Sequence, residues 1–239
     1  MESIKKLVKN NHNENIMCEI NKAENPKNKT ILILHAHTGK KENRTIHFLA
    51  KNLPKHGFNT LQFDFSGHGE SEGALQEATI SKQLEDIKSV ISQIEDISLN
   101  NLILVGNSFS VVTALAFARE ESIKGLILLS GRAKYLKYID NLEKVEDKYR
   151  LFGNVFIEES FIEDYKKYNP IEYIKELDKP ILIIHGEKDD VIPIGDAKIF
   201  LENSKMGELK IIKNADHRYS DPIFKEEVLK SCVEFLNNF

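Results

Sequence analysis

One serine in this sequence lies where a nucleophile could be placed, within Gly106-Asn107-Ser108-Phe109-Ser110. The apolar run Leu102–Val105 before it is typical of a buried strand, and Ser110–Arg119 after it is long enough for a helix. So abrupt a turn from strand to helix would expose Ser108 beside the first free amides of the helix. Ser108 could therefore attack a carbonyl carbon with an anion site next to it. The alternative is that Ser108 only caps the helix.

Two further residues could complete the chemistry of a serine nucleophile. Such a nucleophile needs a base that takes its proton and an acid that holds the base in place. Asp189 follows the apolar run Pro180–His185, and His217 follows the last apolar run, Leu209–Ile212. Both residues are thus predicted just beyond strand ends. Asp190 is the alternative acid.

The histidines also indicate a second, metal-dependent chemistry. His35 and His37 follow one predicted strand, and His185 and His217 follow two others. Imidazoles at strand ends can hold a metal ion that generates hydroxide without any serine. Against this alternative, no carboxylate accompanies His35-x-His37 at a ligand-like spacing, and the strands are too few for an eight-fold barrel. We predict that the protein uses neither a metal nor a cofactor.

Strands and helices that alternate along most of the chain must position these residues. The predicted strands are 30–35, 59–65, 102–105, 125–129, 180–185 and 209–212, and the predicted helices are 44–54, 79–94, 110–119, 194–203 and 222–239. This alternation, with strands apolar on both faces, predicts an α/β fold with a doubly wound, mostly parallel sheet. An antiparallel hairpin over 4–8 and 15–20 is expected at one sheet edge. In such sheets ligands bind beyond the carboxyl ends of the strands.

Residues 132–177 interrupt the alternation. The segment is highly charged and has no buried-strand run, yet it holds six of the seven tyrosines. We predict a lid inserted between two parts of one core domain, 1–131 and 178–239. Its aromatic residues would then line a pocket for an apolar or aryl acyl group of short to medium length. The alternative is that they only attach the lid to the core.

The composition argues against several other classes of protein. The net charge is −4 and the charges are evenly mixed, so the basic surface of a nucleic-acid-binding protein is missing. The apolar runs are too short for a membrane span, and the first residues lack the apolar core of a signal peptide. Cys18 and Cys232 are far apart and predict no disulfide framework. We expect a cytoplasmic protein with a small-molecule substrate and leave a homodimer open.

Four further motifs make the sequence similar to the α/β-hydrolase superfamily. LILHAHTGKKEN resembles the H-G-F-T-G loop, FDFSGHGESEG the D-x-x-G-x-G-x-S loop, HGEKDDVIP the H-G-x-x-D-x-x-V-P loop and ADHRYS the G-x-x-H loop. The chain order Ser, Asp, His is also that of the superfamily. The sequence most resembles small bacterial esterases related to cinnamoyl and feruloyl esterases, and the monoacylglycerol-lipase-like, serine-aminopeptidase-type group.

The resemblance implies a serine esterase with Ser108 as nucleophile, His217 as base and Asp189 as acid. It also implies that the backbone amides of His37 and Phe109 form the oxyanion hole. A thioesterase, a lysophospholipase or a monoacylglycerol lipase would use the same groups, so these alternatives stay open. A non-catalytic binder on this fold usually lacks a triad member, and none is missing here.

Two residues depart from the motifs of the superfamily. Ser110 replaces the second glycine of the nucleophile turn, and because serine is small we expect it to be tolerated. Ala36 replaces the glycine of H-G, which would reshape the oxyanion loop if that position needs a positive φ. The resemblance implies that His35, beside it, is structural.

Overall fold

The computed structural model describes residues 2–95 and 97–238, without the side chain of Phe152. The strands are β1 (Glu2–Lys9), β2 (Asn15–Lys22), β3 (Thr30–Leu34), β4 (Asn59–Phe63), β5 (Leu102–Asn107), β6 (Gly125–Leu129), β7 (Glu143–Val145), β8 (Lys148–Phe152), β9 (Val155–Ile157), β10 (Ile181–Gly186) and β11 (Gly207–Ile212). The α-helices are α1 (Arg44–Asn52), α2 (Ile80–Gln93), α3 (Ser110–Glu120), α4 (Tyr135–Asp140), α5 (Glu159–Tyr165), α6 (Pro170–Glu176), α7 (Ile194–Asn203) and α8 (Pro222–Asn237).

Eight strands form one sheet in the order β1-β2-β4-β3-β5-β6-β10-β11. The hairpin β1–β2 is antiparallel and joins β4 antiparallel, whereas every pairing from β4 to β11 is parallel. The central strands β6 and β10 are buried at every residue, which explains why their sequences are apolar without alternation. The predicted α/β class and the mostly parallel sheet, with its hairpin at one edge, are confirmed.

Alternate residues of each strand contribute to two hydrophobic cores, one on each face of the sheet. In β3, Leu32 and Leu34 join the core that α2, α3 and α7 cover. Ile31 and Ile33 join the opposite core, under α1 and α8. This arrangement puts helices on both faces, so the carboxyl edge of the sheet is left for loops.

The ends of most predicted elements differ from the structure by one or two residues. One example is the helix predicted over 44–54. The α-helix ends at Asn52, and a 3-10 turn, Leu53–His56, follows it. Pro54 cannot supply the N–H that a longer α-helix needs, and Gly57, with φ +88°, ends the turn. The predicted end of the last helix at Phe239 lies outside the described residues.

The predicted lid segment, 132–177, contains helices α4, α5 and α6 and a separate antiparallel sheet of the short strands β7, β8 and β9. Helix α6 packs against α3 and α7 of the main body, and α5 contacts α2. The division of the chain into core and lid stays a prediction. Among the helices of residues 2–95 and 97–238, none has the length and apolar character that crossing a membrane requires.

Candidate active site

Ser108 lies at a strained turn between β5 and α3, at the carboxyl edge of the sheet. Its φ is +54°, a left-handed conformation that serine rarely adopts. The turn is held from behind, because Ser108 N–H donates to Leu129 O at 2.8 Å. It is also packed so closely that a Cβ at Gly106 would lie 2.9 Å from Val111 Cα. The backbone therefore fixes the serine side chain above the sheet edge.

The structure brings together the three side chains that the sequence predicted to act together. Ser108 Oγ lies 3.1 Å from His217 Nε2, and His217 Nδ1 lies 2.8 Å from Asp189 Oδ2. Asp189 follows β10 and His217 follows β11, two neighbouring strands whose carboxyl ends meet at one edge. The contact to His217 is made by Asp189, while the alternative acid, Asp190, is exposed.

Asp189 is surrounded by hydrogen-bond donors, although its side chain is fully buried. Its Oδ1 accepts from Val191 N–H at 2.9 Å and from Ile192 N–H at 2.7 Å. Its Oδ2 also lies 3.2 Å from His185 Nε2. Burial alone would raise the pKa of Asp189, but the hydrogen bonds from His185, His217 and Ile192 outweigh it and hold the pKa well below its usual range. The carboxylate is therefore ionised and oriented toward the imidazole of His217.

His37 and Phe109 line the same cavity as Ser108, and the state of their backbone amides decides whether they can serve as donors. Within residues 2–95 and 97–238, neither N–H donates a hydrogen bond to another protein group. Phe109 directly precedes α3, so its amide belongs to the free donors at that helix start. Both amides are thus available to a ligand, which is what an oxyanion hole requires.

The two departures from the superfamily motifs are accommodated locally. The residue with positive φ in the loop after β3 is Thr38, at +60°, and not Ala36, so alanine at 36 imposes no strain there. Thr38 N–H donates to His68 Nε2 at 3.3 Å. Ser110 is buried, and its Oγ accepts from Asn107 N–H at 2.9 Å and donates to Leu34 O at 3.1 Å. The hydroxyl therefore adds hydrogen bonds where glycine would add none.

A buried ion cluster that the sequence did not predict connects the loop after β3 to the loop after β4. Lys41 Nζ lies 2.6 Å from Asp64 Oδ2 and also contacts Glu70. Asp64 further accepts Lys41 N–H at 2.6 Å and Glu70 N–H at 3.0 Å. Burial acts to lower the pKa of Lys41, but its bonds to Asp64 and Glu70 raise it above its usual value. The cluster therefore fixes the loop after β3 against the loop after β4.

The metal-binding alternative finds no support in the surroundings of the histidines. His35 is buried and uses both ring nitrogens on the backbone, Nδ1 with Ala36 O at 2.8 Å and Nε2 with Phe65 N–H at 3.0 Å. Burial, with a contribution from His68, lowers the pKa of His35 and that of His37 to about 3. Over residues 2–95 and 97–238, no group of three or more His, Cys, Asp or Glu side chains could hold a metal ion.

A cavity of about 530 Å³ opens above Ser108 and His217. Its apolar wall contains Phe109, Val112, Tyr135 and Tyr138, the last two from the predicted lid segment. Most other aromatic residues of that segment pack elsewhere; Phe161, for example, is fully buried in the core.

A large, mostly parallel sheet with helices on both faces, and functional loops at its carboxyl edge, defines the class of α/β hydrolases. A family model described as serine aminopeptidase, S33, matches residues 25–161, more than half of the chain. The chain therefore belongs to this family of α/β hydrolases.

Similar curated proteins and solved structures agree with this assignment. YfhR of Escherichia coli strain K12, an uncharacterised protein, is 26% identical over 216 residues, covering 86% of this chain and 71% of YfhR. The human mitochondrial palmitoyl-protein thioesterase ABHD10 is 28% identical over 180 residues, covering 68% of this chain and 58% of ABHD10. Est1E from Butyrivibrio proteoclasticus with bound ferulic acid has a TM-score of 0.86 at 22% identity, covering 97% of this chain and 98% of Est1E. Mouse ABHD10 has a TM-score of 0.83 at 19% identity, covering 98% of both chains. These structures confirm the predicted α/β-hydrolase fold.

Proposed function

We propose that this α/β hydrolase cleaves carboxylic esters through Ser108, His217 and Asp189. The observation that carries the proposal is the unbroken hydrogen-bonded chain from Ser108 Oγ to His217 and on to Asp189, at 3.1 and 2.8 Å. A serine becomes nucleophilic when a base takes its proton and a carboxylate stabilises the resulting imidazolium. The low pKa of Asp189 supports its part as that carboxylate.

The first half of the reaction forms an acyl-enzyme. Ser108 Oγ attacks the ester carbonyl carbon while its proton passes to His217 Nε2. The carbonyl oxygen becomes an oxyanion, which the N–H groups of His37 and Phe109 stabilise. When the tetrahedral intermediate collapses, the bond to the alcohol breaks and His217 gives its proton to the leaving oxygen. The alcohol departs, and the acyl group stays on Ser108.

The second half of the reaction releases the acid. A water molecule loses a proton to His217 Nε2 and attacks the acyl carbon, and the same amides stabilise the second oxyanion. Collapse breaks the bond to Ser108 Oγ, which takes the proton back from His217. The apolar wall of Phe109, Tyr135 and Tyr138 supports an apolar or aryl acyl group of modest size, because the cavity holds about 530 Å³.

A thioester is the second candidate substrate. The relative ABHD10 is a palmitoyl-protein thioesterase, and thioester hydrolysis would need no change in the roles of Ser108, His217 and Asp189. The two bonds differ in the leaving atom, oxygen or sulfur, and not in the attack by serine. A comparison of oxygen and sulfur esters of one acid therefore distinguishes them.

The proposal is tested by turnover of matched esters and thioesters with acyl chains of increasing length. Wild-type protein should hydrolyse the short and medium chains, and Ser108→Ala should lower kcat by about 10⁴-fold or more. Ser110→Ala, two residues away, is the matched control and should keep most of the activity while losing some stability. Equal activity of wild type and Ser108→Ala would overturn the proposal.

A further inference from the structure

The cavity above Ser108 carries a concentration of positive charge. Three of its lining residues are arginines, Arg44, Arg132 and Arg218, and none of its lining residues in the described part of the chain is acidic. The whole protein has a net charge of −4, so this excess is local and does not follow from a basic composition. Such an uncompensated set of guanidinium groups raises the local concentration of anions.

Three of the carboxylates near the cavity are already engaged with other groups. Glu42, two residues before Arg44, pairs with Lys41 at 3.1 Å. Asp216, two residues before Arg218, accepts hydrogen bonds from the hydroxyl and the amide of Ser220 at 2.6 and 2.7 Å. Asp189 lies behind His217 and is directed at it. None of these three carboxylates forms an ion pair with an arginine of the cavity.

The side chains of Arg44 and Arg218 have no partner among residues 2–95 and 97–238, in contrast to Arg132. Arg132 donates to Val191 O at 3.0 Å and stacks on the ring of Tyr138 at 4.2 Å. Arg44 and Arg218 are exposed at the cavity and make no hydrogen bond or ion pair through their guanidinium groups there. Five unused N–H donors on each remain available to a ligand.

Arg44 and Arg218 lie on the wall of the cavity that also holds His217. Arg218 directly follows His217 in the chain, and its carbonyl accepts the hydroxyl of Thr45, the neighbour of Arg44, at 2.8 Å. In the proposed reaction His217 gives its proton to the leaving group, so the leaving group must lie on this wall. The lid tyrosines, Tyr135 and Tyr138, contribute to the apolar part of the cavity instead.

We propose that this hydrolase selects esters or thioesters whose leaving group carries a negative charge, a carboxylate or a phosphate, recognised by Arg44 and Arg218. The inference rests on the proposed function and adds the substrate class. Planar guanidinium groups match both anions in a two-pronged geometry. The apolar acyl group and the anionic leaving group would thus occupy different walls of one cavity.

The experiment compares two pairs of substrates with one acyl group, butyrate. The first pair is the ester of 3-hydroxybenzoate and the ester of 3-hydroxybenzamide, which differ in a carboxylate. The second pair is the thioester of 4′-phosphopantetheine and the thioester of pantetheine, which differ in one phosphate. In at least one pair, kcat/KM should be about tenfold higher for the anionic member at low salt, and the preference should shrink near 0.5 M salt. The pair that responds tells whether a carboxylate or a phosphate is recognised.

The variants Arg44→Gln and Arg218→Gln should each lower the ratio of anionic to neutral kcat/KM about fivefold, and the double variant should lower it further. Arg119→Gln is the control, because Arg119 is exposed on α3, pairs with Glu176 at 2.5 Å and does not line the cavity. Turnover of neutral substrates without any preference for the anionic members would overturn the inference and leave the proposed function intact. A preference that survives in the double variant would also overturn it. Failure of the proposed function gives a different result from failure of the inference alone, because none of the four substrates would then be hydrolysed. That result would overturn the inference as well.

Discussion

The two walls of the cavity differ in the kind of contact that holds their side chains in place. On the core wall, which is formed by residues outside the predicted lid, Ser108 contacts His217 and His217 contacts Asp189 through hydrogen bonds between side chains. In the predicted lid, the hydroxyl of Tyr135, which lines the cavity, has no hydrogen-bond partner in the described part of the chain, and neither has that of Tyr165, which packs against Tyr135. The hydroxyl of Tyr138, also on this wall, donates only to the backbone carbonyl of Leu151. The contact between Tyr135 and Tyr165 is between rings, with centroids 5.7 Å apart.

This difference indicates which features of the cavity are fixed and which are adaptable. Hydrogen bonds between charged groups require particular distances and angles, so a chain of them holds atoms in one arrangement. Ring contacts tolerate several geometries and supply mainly apolar area. We therefore expect substitutions on the core side to remove activity or to destabilise its loops, and substitutions in the predicted lid to have small effects.

The largest expected effect follows from changing Asp189 to asparagine. An amide in place of the carboxylate cannot stabilise the imidazolium of His217, so kcat should fall by about 10³–10⁴-fold. Asp190→Asn is the matched control, because Asp190 is adjacent but exposed, and its kcat should stay within about twofold of wild type. A greater loss in Asp190→Asn than in Asp189→Asn would show that the carboxylate has been assigned to the wrong residue.

Substitution of Lys41 tests whether the buried ion cluster stabilises the two loops that it connects. Lys41→Met leaves Asp64 buried without its cation, so the free energy of unfolding should fall by about 3–5 kcal/mol in urea titrations. Lys40→Met is the control, because Lys40 is exposed and its contact to Glu42 is long, at 3.8 Å. Its effect should stay within about 0.5 kcal/mol. Similar losses in both variants would mean that the buried cluster does not stabilise the loops.

Two substitutions of His37 distinguish a role of its backbone N–H from a role of its imidazole ring. His37→Ala keeps the N–H and should retain activity within about tenfold, whereas His37→Pro removes the N–H and should lose about 10²–10³-fold. Circular dichroism checks that both variants are folded. If the metal alternative were right, alanine would be as damaging as proline and a chelator would inactivate the wild type. We expect the wild type to be insensitive to the chelator.

The smallest effect concerns the tyrosine hydroxyls of the predicted lid segment. Tyr135→Phe removes a buried hydroxyl without a partner and should leave the free energy of unfolding unchanged or raise it by up to about 1 kcal/mol. Tyr168→Phe removes a hydroxyl that bonds Ser81 Oγ at 2.8 Å and should lower it by about 1 kcal/mol. Thermal unfolding of both variants measures the contrast. An equal loss in both would contradict the difference between paired and unpaired hydroxyls.

Much of the fold could be predicted because the central strands are buried on both faces. A run of five residues such as TILIL or GLILL is too short for a typical helix and shows no alternation of polar and apolar residues, so it predicts a strand buried on both faces. The helices between such strands make neighbouring strands parallel. Pro54 shows the limit, because whether a proline ends a helix or is taken into a 3-10 turn depends on the chain around it. The strands β7 to β9 were missed because they are short and, among their described side chains, only those of Leu151 and Ile157 are buried.

The candidate site was predictable where its residues follow strand ends. Ser108, Asp189 and His217 each lie just past an apolar run, so the topology brings them to one edge. The partnership of Lys41 with Asp64 was not predictable, because nothing distinguishes Lys41 from the exposed Lys40 before the loops are packed. Roles of individual residues, the homodimer, the cytoplasmic location and the function of the lid stay predictions.

The central claim is that Ser108 is the nucleophile, and chemical labelling tests it most directly. A fluorophosphonate reacts much faster with a serine whose proton a base removes than with other serines, and mass spectrometry of the digested protein identifies the labelled residue. We predict stoichiometric labelling of Ser108, loss of hydrolysis in step with labelling, and much slower labelling in His217→Ala. Stoichiometric labelling of another serine, or full hydrolytic activity after Ser108 is labelled, would contradict the account.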